Sequence, residues 1–186
     1  MRNAYLLVFG ILLGILLFGC SGTSMPTEDT PPSLGETLPV PEETLSLPEV
    51  EMQAILVYFL DENRYAIGTE PYETAVERQF HPDSFLPRMA LEAYFEGPTE
   101  EEAAQGLVQV LSGCTGFSDF EIKDGIARVK LSGPCSSSGS TYTIAGPIFK
   151  TLKQFDEINY VKIYDTAGMT ERPTGPTDSI PFILEP

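Results

Sequence analysis

Across 186 residues the chain carries 27 acidic and 11 basic side chains, a formal net charge of −16, one His, three Cys and no Trp. That length holds one ordinary domain plus extensions. A pI near 4.2 excludes nucleic acid as a partner, because phosphate binding needs clustered Lys and Arg. The lone His81 excludes metal or catalytic designs that need two imidazoles.

At the N-terminus Arg2 precedes the apolar run Ala4 to Phe18, then Gly19 and Cys20. A basic start, an apolar stretch and a small residue at its boundary read as an export signal. As a helix the run reaches about 22 Å, short of the roughly 30 Å hydrocarbon core. Leu17-Phe18-Gly19-Cys20 resembles the bacterial lipobox, with Leu at −3, a small residue at −1 and the acceptor Cys. The resemblance implies that residues 1–19 are a lipoprotein signal peptide. It also implies that the Cys20 thiol receives a diacylglyceryl group and becomes the new N-terminus. Two acyl chains hold a protein on a bilayer where one is marginal.

Residues 20–51 then form a tether. Ser21 to Glu51 contains six Pro, seven acids and no Lys or Arg. Such a stretch buries too little apolar surface to offset its ordering entropy and reads as disordered. Its reach is roughly 30 Å as a coil and about 95 Å as polyproline II. Its charge is repelled by anionic lipid.

The run Gln53 to Leu60 is nearly all apolar and predicts a central strand buried on both faces. Asp61-Glu62-Asn63 turns the chain into Arg64 to Ile67, and a second extended piece spans Thr74 to Phe80. Asp83 or Ser84 caps a helix running to about Phe95, with Leu86, Met89, Ala90, Ala93 and Tyr94 as its apolar face. Pro87 is tolerated in the first turn, and Gly97-Pro98 stops the helix. Thr99 to Glu102 is a capping box for a short helix ending near Gln105.

Asp124-Gly125 is a hairpin signal. Placing both in the loop sets Phe120 opposite Val129 and Ile122 opposite Ala127 on one face. Glu121 then faces Arg128, and Asp119 faces Lys130, on the other. After the stretch Ser136-Ser137-Ser138-Gly139-Ser140 a helix runs to about Phe155, with Ile144, Ile148, Leu152 and Phe155 as its stripe. Pro147 sits in its first turn if the helix starts near Thr143, and otherwise kinks it. Tyr160 to Tyr164 is the last clear strand, with Val161 and Ile163 inward. The C-terminal residues 169–186 form a tail whose Ile180 to Leu184 packs back on the domain. The order of strands and helices predicts an α+β fold of two layers, a mixed or antiparallel sheet covered by helices.

With Cys20 assigned to lipid, Cys114 and Cys135 read as one disulfide, because an exported chain meets an oxidising compartment. A redox-active pair is disfavoured by the absence of Cys-x-x-Cys spacing. His81, before Pro82 and a helix, reads as a turn residue rather than a triad member. Paired carboxylates could cleave sugars, but these acids lie on caps, hairpin faces and the tether. The loop of Ser136, Ser137, Ser138, Gly139 and Ser140 could hold an anion on free N–H groups, or simply cap the helix. Asp165, Glu171 and Asp178 are Ca²⁺ candidates whose spacing fits no Ca²⁺ loop signature. No catalytic residue, metal or cofactor is therefore assigned.

Four motifs resemble the GerMN domain, the sporulation and spore germination module of Gram-positive and related bacteria. They are Val57-Tyr58-Phe59-Leu60-Asp61, then Ala90 to Pro98, the hairpin Asp124 to Ser132, and Ile148 to Phe155 with Val161-Lys162-Ile163. The resemblance places a GerMN-like domain at residues 52–168. It implies a fold similar to ring-building motifs and a home in the cell envelope, on the extracytoplasmic face of the membrane. The expected role is a non-catalytic binding or scaffolding module held to the membrane by the lipid on Cys20. Its partner would be an envelope protein or peptidoglycan. The alternative is an envelope enzyme, or its accessory subunit, acting on peptidoglycan.

Overall fold

A computed structural model describes residues 51–186; Cys20, the export signal and most of the tether lie outside the described residues. Strand β1, Gln53–Asp61, is the centre of a three-stranded sheet ordered β2-β1-β3. Its partners are β2, Glu73–Phe80, and the two-residue β3, Leu107–Val108. Both pair with it antiparallel. Ile55, Val57 and Phe59 point into the core, as the apolar run requires. The other face is only half covered, in contrast to the expected two-sided burial. Leu56 and Tyr58 there lie opposite Glu77 and Ala75 of β2, which face solvent.

Asp61 ends β1 and caps a one-turn helix α1, Glu62–Ala66, its carboxylate accepting from the Arg64 N–H at 3.1 Å. Helix α2, Leu86–Glu96, starts one residue later than a Ser84 cap would place it and two later than an Asp83 cap would. The Ser84 N–H is given to the His81 carbonyl in a turn, and Phe85 takes the cap position without a side-chain bond. Its buried stripe is Pro87, Ala90, Leu91, Ala93 and Tyr94, with Leu86 and Met89 half-covered. The expected capping box is present in α3, Glu100–Ala104, where Thr99 and Glu102 exchange side chain–backbone bonds.

The second sheet is ordered β4-β5-β6, with β4 Gly116–Lys123, β5 Ile126–Ser132 and β6 Tyr160–Tyr164. The hairpin has the expected register: Asp119 faces Lys130, Phe120 faces Val129, Glu121 faces Arg128 and Ile122 faces Ala127. Asp124 and Gly125 both adopt positive φ (55° and 74°), as a tight two-residue hairpin turn demands. A bulge between Phe117 and Asp119 shifts the pairing beyond that point. Helix α4, Ala145–Leu152, crosses from β5 to β6, which lie parallel. Pro147 falls in its first turn, so no kink is needed. The architecture is α+β, with the strands divided between two small sheets and the helices packed on them.

Helices α2 and α4 pack on β1 and on each other, and one apolar cluster joins them to both sheets. On the side of β1 away from β2, β3 pairs only at Leu60 and Asp61, and the stretch from Leu56 to Tyr58 is closed by side chains of α4 and the residues just after it. The Gln154 carboxamide accepts from the Leu56 N–H at 2.8 Å and donates to the Leu56 carbonyl at 2.6 Å. The Thr151 hydroxyl accepts from the Tyr58 N–H at 3.1 Å. These side chains satisfy backbone groups that a neighbouring strand would otherwise pair.

The tail crosses β6 as a further strand-like piece, with Ser179 bridging Lys162 in parallel. Lys162, expected to face outward between Val161 and Ile163, is fully buried as a result. Its ammonium donates to the Arg172 carbonyl at 2.5 Å, and burial lowers its pKa. Leu184, in the one-turn helix Phe182–Leu184, joins the core.

Candidate functional site

The residues singled out in the sequence do not converge. Cys114 and Cys135, both buried, form a disulfide with Cα atoms 4.4 Å apart. It staples the turn before β4 to the segment after β5. His81 lies half-exposed in the turn before α2, accepting from the Asp83 N–H at 3.3 Å.

The N–H groups of the serine loop are all given to protein oxygens, so the anion-holding arrangement read from the sequence lacks free donors. Ser136 N–H goes to the Ser112 carbonyl and Ser137 N–H to the Ile183 carbonyl. Ser138 and Gly139 donate to the hydroxyls of Ser136 and Ser137, and Ser140 to the Ser137 carbonyl. Side-chain oxygens two residues away reach these groups first.

The tail acids are likewise engaged apart. Asp165 accepts from the Met169 N–H, and Glu171 lies 3.6 Å from Arg172. Asp178 accepts from the Val161 N–H and pairs with Lys153. Among the described residues no three His, Cys, Asp or Glu side chains gather as metal ligands do.

What the fold does bring together is a set of tyrosines from three separate segments. Tyr65 lies on α1, Tyr72 just before β2 and Tyr142 just before α4. Tyr65 and Tyr72 meet edge to face with centroids 5.3 Å apart. Tyr65 and Tyr142 are 5.6 Å apart, and Tyr72 and Tyr142 stand at 86°. Such geometry suits the ring quadrupoles. Tyr65 is 39% exposed, and Ile67 beside it 76%.

Beneath the rings Glu73 receives the Lys150 ammonium of α4 at 2.5 Å. Gly146 permits this approach, since a Cβ there would stand 3.1 Å from Glu73 Oε1 and 3.3 Å from the Tyr142 hydroxyl. That hydroxyl is buried against Glu73 and makes no well-formed hydrogen bond among the described residues. Burial, and the carboxylate of Glu73 beside it, push its pKa up.

Lys150 also opens onto a groove of about 390 Å³ lined with Tyr58, Phe149, Lys153 and Gln154. Lys150 thus links the groove to the carboxylate beneath the tyrosine cluster. Such a surface can bind and orient a ligand. Sequence reading missed it because its tyrosines have no common period or motif. The one hint was composition, with eight Tyr in a chain without Trp.

Among solved structures, the tandem GerMN domains of the sporulation protein GerM from Bacillus subtilis are similar at 19% identity and a TM-score of 0.45, over 67% of this chain and 43% of that one. The chain therefore spans less than half of that relative's length. The first GerMN domain of the same protein is similar at 27% identity, with a TM-score of 0.43, over 68% of this chain and 92% of that one. A candidate lipoprotein from Clostridium perfringens shares 22% identity and a TM-score of 0.39, over 70% and 88% of the two chains. No curated protein matches. The family model named Germane, described as sporulation and spore germination, matches residues 56–164, so the chain belongs to that family.

Proposed function

We propose that the chain is a lipoprotein held at the extracytoplasmic face of the membrane through Cys20. Its domain acts there as a non-catalytic module that binds a component of the cell envelope, a protein or peptidoglycan. The observation that supports the binding role is the tyrosine cluster, partly exposed at Tyr65, next to the groove at Lys150. Rings and fixed polar groups bind and orient without supplying a nucleophile and its base. Membership of the Germane family supports the envelope setting, and the Cys114–Cys135 disulfide supports an oxidising compartment.

Two measurements test the two halves. Growth with a radiolabelled fatty acid labels the wild-type chain and leaves Cys20→Ala unlabelled; an unlabelled wild type removes the anchor. Purified sacculi co-sediment with the protein and release no soluble muropeptides, or cross-linking in cells recovers one envelope protein. Release of muropeptides would turn the assignment to an enzyme.

A further inference from the structure

We propose that the face holding Met52 and Phe85 is a docking surface for a protein segment that carries Lys or Arg on either side of an apolar side chain. This is a second surface, built from residues other than the tyrosine cluster and its groove.

The start of α2 breaks a local rule. Ser84 stands one residue ahead, yet Phe85 takes the cap position, makes no side-chain bond there and leaves its ring 50% exposed. The helix forgoes a capping side chain, and the ring forgoes burial. Phe85 rests on Phe120 with centroids 5.7 Å apart, so its free face is held in one direction. A choice that costs the isolated domain stability marks a surface used by something else. Phe85, Leu86 and Pro87 line a groove of about 390 Å³, and Met52 and Pro82 line another of about 410 Å³. Gln53 is a wall of both, so the two lie side by side. Met52 adds a second half-exposed apolar group to the face.

Charge chooses the occupant. Asp156 and Glu157 line the first groove and Glu51 the second, while no Lys or Arg lines either. Among the described residues these three carboxylates join no ion pair, and the cations nearest in sequence, Arg88 and Lys153, are held by Glu92 and Asp178. An anionic ligand is therefore repelled. A neutral sugar leaves the carboxylates unanswered, and a small cation fills one groove and leaves the acid of the other. The chain's own tether has no Lys or Arg from Ser21 to Glu51, and a second copy presents the same acidic face. A segment with cations flanking an apolar side chain answers both grooves and covers the Phe85 ring. Complementary charge of this kind sets partner choice, and a central aromatic anchor carries the affinity.

The test uses the full chain in nanodiscs of uncharged lipid, titrated with a fluorescent synthetic peptide of alternating Lys and Leu at physiological salt. Saturable binding is expected, weakened about tenfold or more by Phe85→Ser and by Asp156→Lys combined with Glu157→Lys. Glu100→Lys combined with Glu101→Lys, on α3, changes the net charge equally and is expected to shift affinity by no more than about twofold, because distant charges are screened. Thermal melts establish that each variant folds, and the exposed Asp156–Glu157 turn tests the surface without touching the Phe85–Phe120 contact. Absence of saturable binding, or unchanged affinity in either groove variant, overturns the assignment. Equal weakening by the two charge pairs overturns it as well, in favour of diffuse attraction to an acidic chain. Sacculi that sediment wild type but not Phe85→Ser also overturn it, making the cell wall the occupant, whereas sacculi that sediment both alike support a surface separate from any wall contact.

Discussion

Tyr142 shows how a single atom can be left without a partner by a close helix–sheet approach. Its ring packs against Tyr65 and Tyr72, while its hydroxyl is carried into the interior beside Glu73, whose Oε2 is taken by Lys150. A buried hydroxyl without a hydrogen bond loses its hydration and gains nothing in return. Tyr142→Phe keeps the ring and is expected to raise stability by about 1 kcal/mol, read as a higher urea midpoint at unchanged slope. Glu102 is the opposite case, with each oxygen used. Its carboxylate accepts from Arg78 at 2.7 Å through both oxygens and from the Thr99 N–H at 2.8 Å. The Arg78 hydrogen bonds hold its pKa below the usual carboxylate range. A lowered folded-state pKa adds stability that is complete above the unfolded value, about 4.3, and is lost as pH falls through the folded value. Wild type should therefore lose more stability than Glu102→Gln between pH 6 and pH 3, measured by denaturant midpoints at the two pH values. The capping half of Glu102 was legible, because Thr99 lies three residues away. Its Arg78 half was not, because β2 delivers that side chain from 24 positions upstream.

Elements differ in how much of their pairing is local. The β4–β5 hairpin could be registered residue by residue, because a two-residue turn fixes which positions face and the cross-strand pairs agree with it. Helix α2 was placed correctly, but its cap was not: the turn at His81–Ser84 runs on to Phe85, which takes the cap position with no side-chain bond. The closure of β1 by Gln154 and Thr151 lies beyond any local pattern, with partners more than 90 residues apart. It gives the Thr151-Leu152-Lys153-Gln154-Phe155 segment a structural role, in which Thr151 and Gln154 pair with β1 while Leu152 fills the core. Gln154→Leu leaves the Leu56 N–H and carbonyl without that partner and should cost about 2–3 kcal/mol. Thermal unfolding checks the cost. Hydrogen exchange should show the Leu56 amide exchanging faster in the variant than in wild type, and an unchanged rate would refute the clasp.

For the molecule as a whole, two long-range devices close the domain. The Cys114–Cys135 bond spans 21 positions and ties the start of β4 to the segment leaving β5. Reduction should lower stability by about 3 kcal/mol in the loop-entropy account, measured by denaturation with and without reductant. The tail supplies the second device: it pairs with β6, encloses Lys162 and places Leu184 in the core. The alternating strand pattern of β6 suggested an outward Lys162, since a five-residue window contains no information about a segment that returns later to cover its outer face.

By itself the sequence did not show the one-turn α1 or the two-residue β3, but it determined the longer strands and helices, the hairpin register, the capping box at Thr99 and the α+β class. Each of these rests on hydrogen bonds and packing between positions a few residues apart, where residue type and spacing suffice. Only the tertiary structure decided that Tyr65, Tyr72 and Tyr142 meet, that Gln154 and Thr151 close part of the β1 edge, and that Ser112 and Ile183 take N–H groups of the serine loop. Those outcomes depend on which distant side chains the packed core carries to the same place, a geometry that no window along the chain contains.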